Sequence, residues 1–239
     1  MKRWKKITLV ILAAVLLAGT ALCVWQRENI GALYTVLTKD PQRIADDMET
    51  VRREHQLALQ EEKGVTVLQP SVEQSESLLA GTVTAEEVKQ ALGLAALTEE
   101  HPARSEPDGT PEPDRPPEET PAFDRTAALN RCVAELYAYK VDLMAQLGQL
   151  RQETYLMWNG LPAEERTPAR KQSVIMDGLY TCYALEAEAD TRVKEILDRY
   201  RVQFSAAGAD AGELDELWVY YCEEKAAEKA YYMEKYLND

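Results

Sequence analysis

A chain of 239 residues has room for one or two domains, but seven of its eleven prolines fall between Pro102 and Pro121, so little of that middle can be core. The formal net charge of -14 argues against nucleic acid as a partner, because binding a phosphate backbone needs a basic footprint.

The chain opens "MKRWKKITLVILAAVLLAGTALCVWQ". Lys2, Arg3, Lys5 and Lys6 precede nineteen uncharged residues, Ile7 to Trp25. As a helix these span about 28 Å, close to the hydrocarbon thickness of a bilayer. The leading cations favour a cytoplasmic N-terminus, so the rest of the chain is expected outside, held by a single-pass anchor. A cleaved signal peptide is the rival reading. Its apolar region is usually shorter, although Gly19-Thr20-Ala21 is a passable cleavage site. Cys23 follows Leu22 rather than a small residue, which argues against a lipoprotein.

Residues 27–97 read as short membrane-proximal helices with little core of their own. Asp40 and Pro41 mark an N-cap and a first helical residue, Ile44, Met48 and Val51 are spaced as one helix face, and Gly64 ends the run. Val65 to Leu68 is ambiguous and permits an extended stretch. Thr84 with Glu87 forms a capping box before a stop at Gly93. Residues 98–122 combine proline and acid with almost nothing apolar, which predicts a disordered, self-repelling spacer. At about 3.1 Å per residue it reaches several tens of ångströms.

From Phe123 the apolar spacing becomes regular, and residues 123–239 are expected to form an antiparallel three-helix bundle or coiled coil. The first seam is Leu129, Val133, Leu136, Lys140, Leu143, Leu147, Leu150, Thr154 and Met157. The second is Ile175, Leu179, Cys182, Glu186, Ala189, Val193, Ile196 and Tyr200, and the third Val219, Cys222, Ala226, Ala230, Met233 and Leu237. Starts are marked by Thr120-Pro121 or Asp124, by Thr167-Pro168, and by Asp210 with Glu213. Breaks fall at Asn159-Gly160 and Gly208. The fold class is therefore all-α: a transmembrane helix, a linker and a bundle.

Straight helices of about 1.5 Å rise place Lys140 and Glu186 at the same height, about 27 Å from the lower end. A contact between them would set register, and separate snorkelling to water is the other reading. Cys132 and Cys222 also come out level, at about 39–40 Å, whereas Cys182 lies near 21 Å. Cys132 with Cys222 is thus the one disulfide an exported chain permits, against free thiols acting as small apolar core groups, the reading we favour.

Much chemistry is missing from the sequence. Two histidines, His55 and His101, stand far apart, which leaves no basis for His-based metal sites, His-dependent triads or di-iron centres. Neither C-x-x-C, G-x-S-x-G, a Walker loop nor G-x-G-x-x-G occurs. "GADAGELDE" lacks the ligand spacing of a calcium loop. Carboxylate pairs such as Glu186 with Asp190 or Glu224 with Glu228 are expected on solvated helix faces. We assign no catalytic, cofactor or metal residue.

The tail "EEKAAEKAYYMEKYL", with "DGLYTCYALEAEADTRVKEIL" and "VTVLQPSVEQSESLLAGTVTAEEVKQALGL", resembles uncharacterised single-pass membrane-anchored helical proteins of anaerobic Gram-positive bacteria. That resemblance implies location and carries no activity. The expected role is a non-enzymatic cell-envelope protein that displays its bundle to an envelope protein, to the wall, or to itself. The alternative is an extracytoplasmic glycan- or peptide-binding module, using Trp158, Trp218 and the tyrosines between Tyr220 and Tyr236 as a stacking surface.

Overall fold

The computed structural model describes residues 27–94, 96 and 123–237. The expected anchor at Ile7–Trp25 and the expected linker at 98–122 lie outside the described residues. Among those described, no helix is long and apolar enough to cross a membrane.

Every regular element among the described residues is helical. They are α1 (Arg27–Thr38), α2 (Pro41–Glu61), α3 (Val72–Ala80), α4 (Ala85–Ala91), α5 (Arg125–Gly160), α6 (Pro168–Ala206) and α7 (Gly212–Leu237), with a 3-10 turn at Ala163–Glu165. The starts follow from local hydrogen bonding. Orphan N–H groups at a helix N-terminus need an acceptor, and a short polar side chain just upstream supplies one. Asp40 Oδ1 accepts from the Gln42 N–H at 2.8 Å, Asp124 Oδ1 from Ala127 at 2.9 Å and Thr167 Oγ1 from Arg170 at 3.2 Å. Reciprocal capping boxes open α3 (Ser71 with Gln74) and α4 (Thr84 with Glu87). Gly81, at φ +69°, closes α3 by donating to Leu78 while Thr82 donates to Ser77.

Packing groups the described residues into two compact units, 27–55 with 219–237, and 56–218. The continuous helices α2 and α7 each contribute to both.

In the larger unit α5 and α6 form an antiparallel hairpin, joined by the residues 161–167. Arg199 donates to Glu135 at 2.5 Å near its base. Near its tip Thr154 Oγ1 lies 3.3 Å from where a Cβ on Gly178 would stand. These two points put Lys140 level with Arg192 to Lys194, about 9–12 Å along the axis from Glu186. The equal-height expectation therefore fails: the seven-residue connection lets α6 begin beyond the level at which α5 ends.

Opposite α6, the stripe Ala134, Tyr137, Val141, Met144 and Gly148 of α5 is buried, and α3 and α4 pack onto α5. The segment expected to hold little core supplies Val65, Val67, Leu78, Leu79, Val88 and Leu94 to the interior. Cover also comes from specific polar ties: Asn130 Oδ1 accepts from the Thr66 N–H at 2.8 Å, and Lys89 pairs with Asp142 at 2.6 Å. Gly148 permits the closest approach. A Cβ there would stand 2.4 Å from the Leu78 carbonyl oxygen and 3.1 Å from Leu79 Cα, both backbone atoms that cannot swing aside.

That contact makes a test whose sign is unusual. At an open helical position Gly→Ala stabilises by about 1 kcal/mol through helix propensity. Here Gly148→Ala should instead lower stability by about 1–3 kcal/mol through overpacking, read as a lower urea midpoint in helical circular dichroism.

Candidate functional site: a buried ionic stripe and an uncovered hairpin tip

In the smaller unit, the inner face of α2 carries Ile44, Met48, Arg52 and His55 at steps of four, four and three, and all four are buried. Two basic side chains thus occupy a stripe that helical geometry turns inward. Facing them, α7 buries Glu224 and Glu228, one turn apart. The sequence reading placed this pair on a solvated face. It is corrected because charged partners on α2 hold both side chains inside, while Val219 and Ala226 of the expected buried stripe are exposed.

Arg52 donates through Nη1 to Glu228 Oε1 at 2.7 Å, with both side chains at or below 10% exposure. His55 Nε2 lies 2.8 Å from Glu223 Oε2, and Nδ1 lies 3.4 Å from Glu224 Oε1. The longer contact is an ion-pair distance without hydrogen-bond alignment. Tyr220 stacks on the imidazole, ring centres 4.3 Å apart at 19°. Burial pulls the His55 pKa down, but the Glu224 and Glu223 carboxylates outweigh it and the net displacement is upward. The two carboxylates thus favour the protonated imidazole. Beside this stripe lies a small apolar core of Ala32, Ile44 and Ala230, with Val36, Tyr231 and Met233 against it.

Chemically this is a clamp. The buried carboxylates line neither of two surface hollows of the larger unit, the first of about 360 Å³. The carboxylates of that hollow, Glu188 and Glu195, are exposed. Among the described residues no three His, Cys, Asp or Glu side chains gather as metal ligands. Among the described residues Cys132, Cys182 and Cys222 form no disulfide with one another, and burial raises the Cys132 pKa far above its ordinary value. The disulfide reading is set aside.

A different feature lies at the far end of the α5–α6 hairpin. Burial on α6 covers Ala189, Val193, Ile196 and Tyr200 of the expected seam, and nearer the tip only Val174, one residue off that seam, is buried. The continuation of that seam, Ile175 and Leu179, is 46% and 41% exposed, with Met176 and Tyr180 beside it at 39% and 65%. On α5, Tyr155, Leu156 and Met157 are 67%, 68% and 53% exposed. Three consecutive residues on a helix point about 100° apart, so the exposed apolar side chains of α5 face several directions, among the exposed Arg151, Gln152, Glu153 and Asn159. Gln152 of α5 donates to the Ala80 carbonyl of α3 at 3.2 Å, just short of this end.

The aromatic residues singled out in the sequence do not form one exposed surface. Trp158 and Trp218 are half-buried, and the Lys194 ammonium stands 4.7 Å over the Trp218 ring. The α7 tyrosines are half-buried too, Tyr231 edge-on to Tyr232 and Tyr232 stacked on Tyr236. Sequence spacing alone pointed to none of the ionic stripe, since Arg52 and His55 break an otherwise apolar pattern.

No protein-family model, curated protein or solved structure matches this chain.

Two predictions follow from the stripe. Arg52→Met alone should cost about 3–5 kcal/mol, because it strands a buried carboxylate, whereas Arg52→Met with Glu228→Leu should recover most of that loss in denaturant titration. For His55 the folded pKa is raised above its ordinary 6.5, so its contribution is complete below that value and is lost as pH rises through the folded pKa. Amide protection of α2 around His55 should fall in that window, and His55→Gln should flatten the pH dependence.

Proposed function

We propose that this is a non-enzymatic, single-pass protein of the cell envelope that carries its helical body outside the membrane as a structural or protein-interaction module. The uncovered hairpin tip is the observation that carries the reading. Large apolar side chains gathered in water mark interaction surfaces, and two long helices presented end-outward are a stiff way to hold one. The uncharged run from Ile7 to Trp25 behind four cations supports the anchor and its orientation. The proline- and acid-rich stretch from 98 to 122 supports a spacer within the chain. Resemblance to uncharacterised membrane-anchored helical proteins of anaerobic Gram-positive bacteria fits the same placement.

The rival reading, a glycan or peptide stacked on an aromatic surface, has less behind it. Trp218 lies under Lys194, Tyr220 lies against His55, and the exposed Tyr155 and Tyr180 stand among aliphatic neighbours rather than in an aromatic array.

The full anchored chain, carrying a photoreactive side chain in place of Leu156, should form covalent protein adducts on illumination of living cells. The same group in place of Val202, which is 69% exposed on α6 away from the tip, should form few. A membrane-impermeant maleimide should also label Leu156→Cys without permeabilisation. Equal adduct yields at the two positions, or labelling only after permeabilisation, would contradict the reading.

A further inference from the structure

We infer that the hairpin tip docks against the tip of a second copy of this chain. The inference rests on the interaction reading above and names its partner.

Three observations choose the occupant. The first is area. At roughly 200 Å² per fully exposed side chain of this size, exposures of 39–68% over the seven tip residues leave roughly 750 Å² of apolar side chain in water. That sum runs over side chains facing several directions on two helices, and the share on any one side is a substantial part of the roughly 800 Å² that each partner contributes to a standard interface.

Charge is the second. Between Arg151 and Leu185 the chain carries four cations and four anions, so this segment is neutral, and the whole net charge of -14 resides elsewhere. Two copies repel through their net charge, and the tip, like the equally balanced stretch 123–150, adds nothing to that repulsion. The same neutrality disfavours a lipid surface, which would be sought with basic residues. The outermost turn instead presents the exposed carboxylates Glu164 and Glu165.

The third is geometry. Ile175 with Leu179, and Met176 with Tyr180, are pairs at i, i+4 on one helix, the ridges that interdigitate with a facing helix of similar spacing. Exposed apolar side chains on both helices are best enclosed by more than one helix, and a second hairpin supplies two. The product is a local four-helix arrangement made of two tips. On the reading above, copies anchored in one membrane share orientation and height, which raises the effective concentration of tip for tip.

The test uses full-length anchored chains bearing two different tags and expressed together. Tyr180→Cys should give, under mild oxidation, a disulfide-linked species of twice the chain mass containing both tags, at least several-fold above that from Val202→Cys. Leu156→Glu with Tyr180→Glu, at exposed positions that leave folding intact, should abolish co-isolation of the two tags. Tip adducts that contain a different protein and never a second copy would overturn this inference while leaving the interaction reading standing. No tip adduct of any kind would overturn both.

Discussion

Two helices of 36 and 39 residues present more apolar surface than the nine- and seven-residue helices α3 and α4 can line, and that mismatch shapes the larger unit. Near its base the hairpin is well enclosed: Leu129, Val133, Val193, Ile196, Tyr200 and Phe204 are all buried. Gly148 then lets the backbone of α3 lie directly on α5. Past Gln152 the cover thins: Val174 is still buried and Thr154, Trp158 and Gly178 are half-buried, but Tyr155, Leu156, Met157, Ile175 and Leu179 are exposed. The hydrophobic effect scales with area removed from water, so such an end is a standing incentive for association.

The smaller unit solves a different problem with few apolar residues. Its core of Ala32, Ile44 and Ala230 is slight, and much of the buried surface between α2 and α7 is ionic. Such pairs are weak as net stabilisers, because desolvation offsets attraction. They are strict about alignment. Arg52 opposite Glu228 and His55 opposite Glu224 admit one register, since a slip of one turn would strand charges in the interior. The unit therefore gains specificity where it lacks hydrophobic bulk, and His55 makes that specificity depend on protonation.

Much of the helical layout was legible in the chain. Asp40, Thr84, Asp124 and Thr167 cap where their side chains can reach orphan N–H groups, which is local chemistry and transfers directly from sequence. The seams on α5 and α6 were legible too, but their fate was not. Periodicity reports which residues share a face and says nothing of what lies opposite, so Ile196 and Ile175 read alike although one is buried and the other is not. The second α5 stripe was masked by Ala134, Tyr137 and Gly148, weak hydrophobic signals whose importance comes from close approach. The ionic stripe was hidden for the opposite reason: burial of Glu224 and Glu228 depends on basic side chains about 170 residues away, a separation that no local pattern encodes. The same limit undid the Lys140–Glu186 height match, which assumed flush helix ends.

The central claim is that the hairpin tip, exposed among the described residues, is covered in the membrane-anchored protein proposed above. Hydroxyl-radical footprinting of the full-length chain in native membranes measures this directly. The account predicts that Tyr155, Leu156, Met157, Met176 and Tyr180 are oxidised several-fold more slowly than their exposure in a single chain implies, with Val202 oxidised at its full rate. Tip side chains oxidised as fast as that single-chain exposure implies would contradict it.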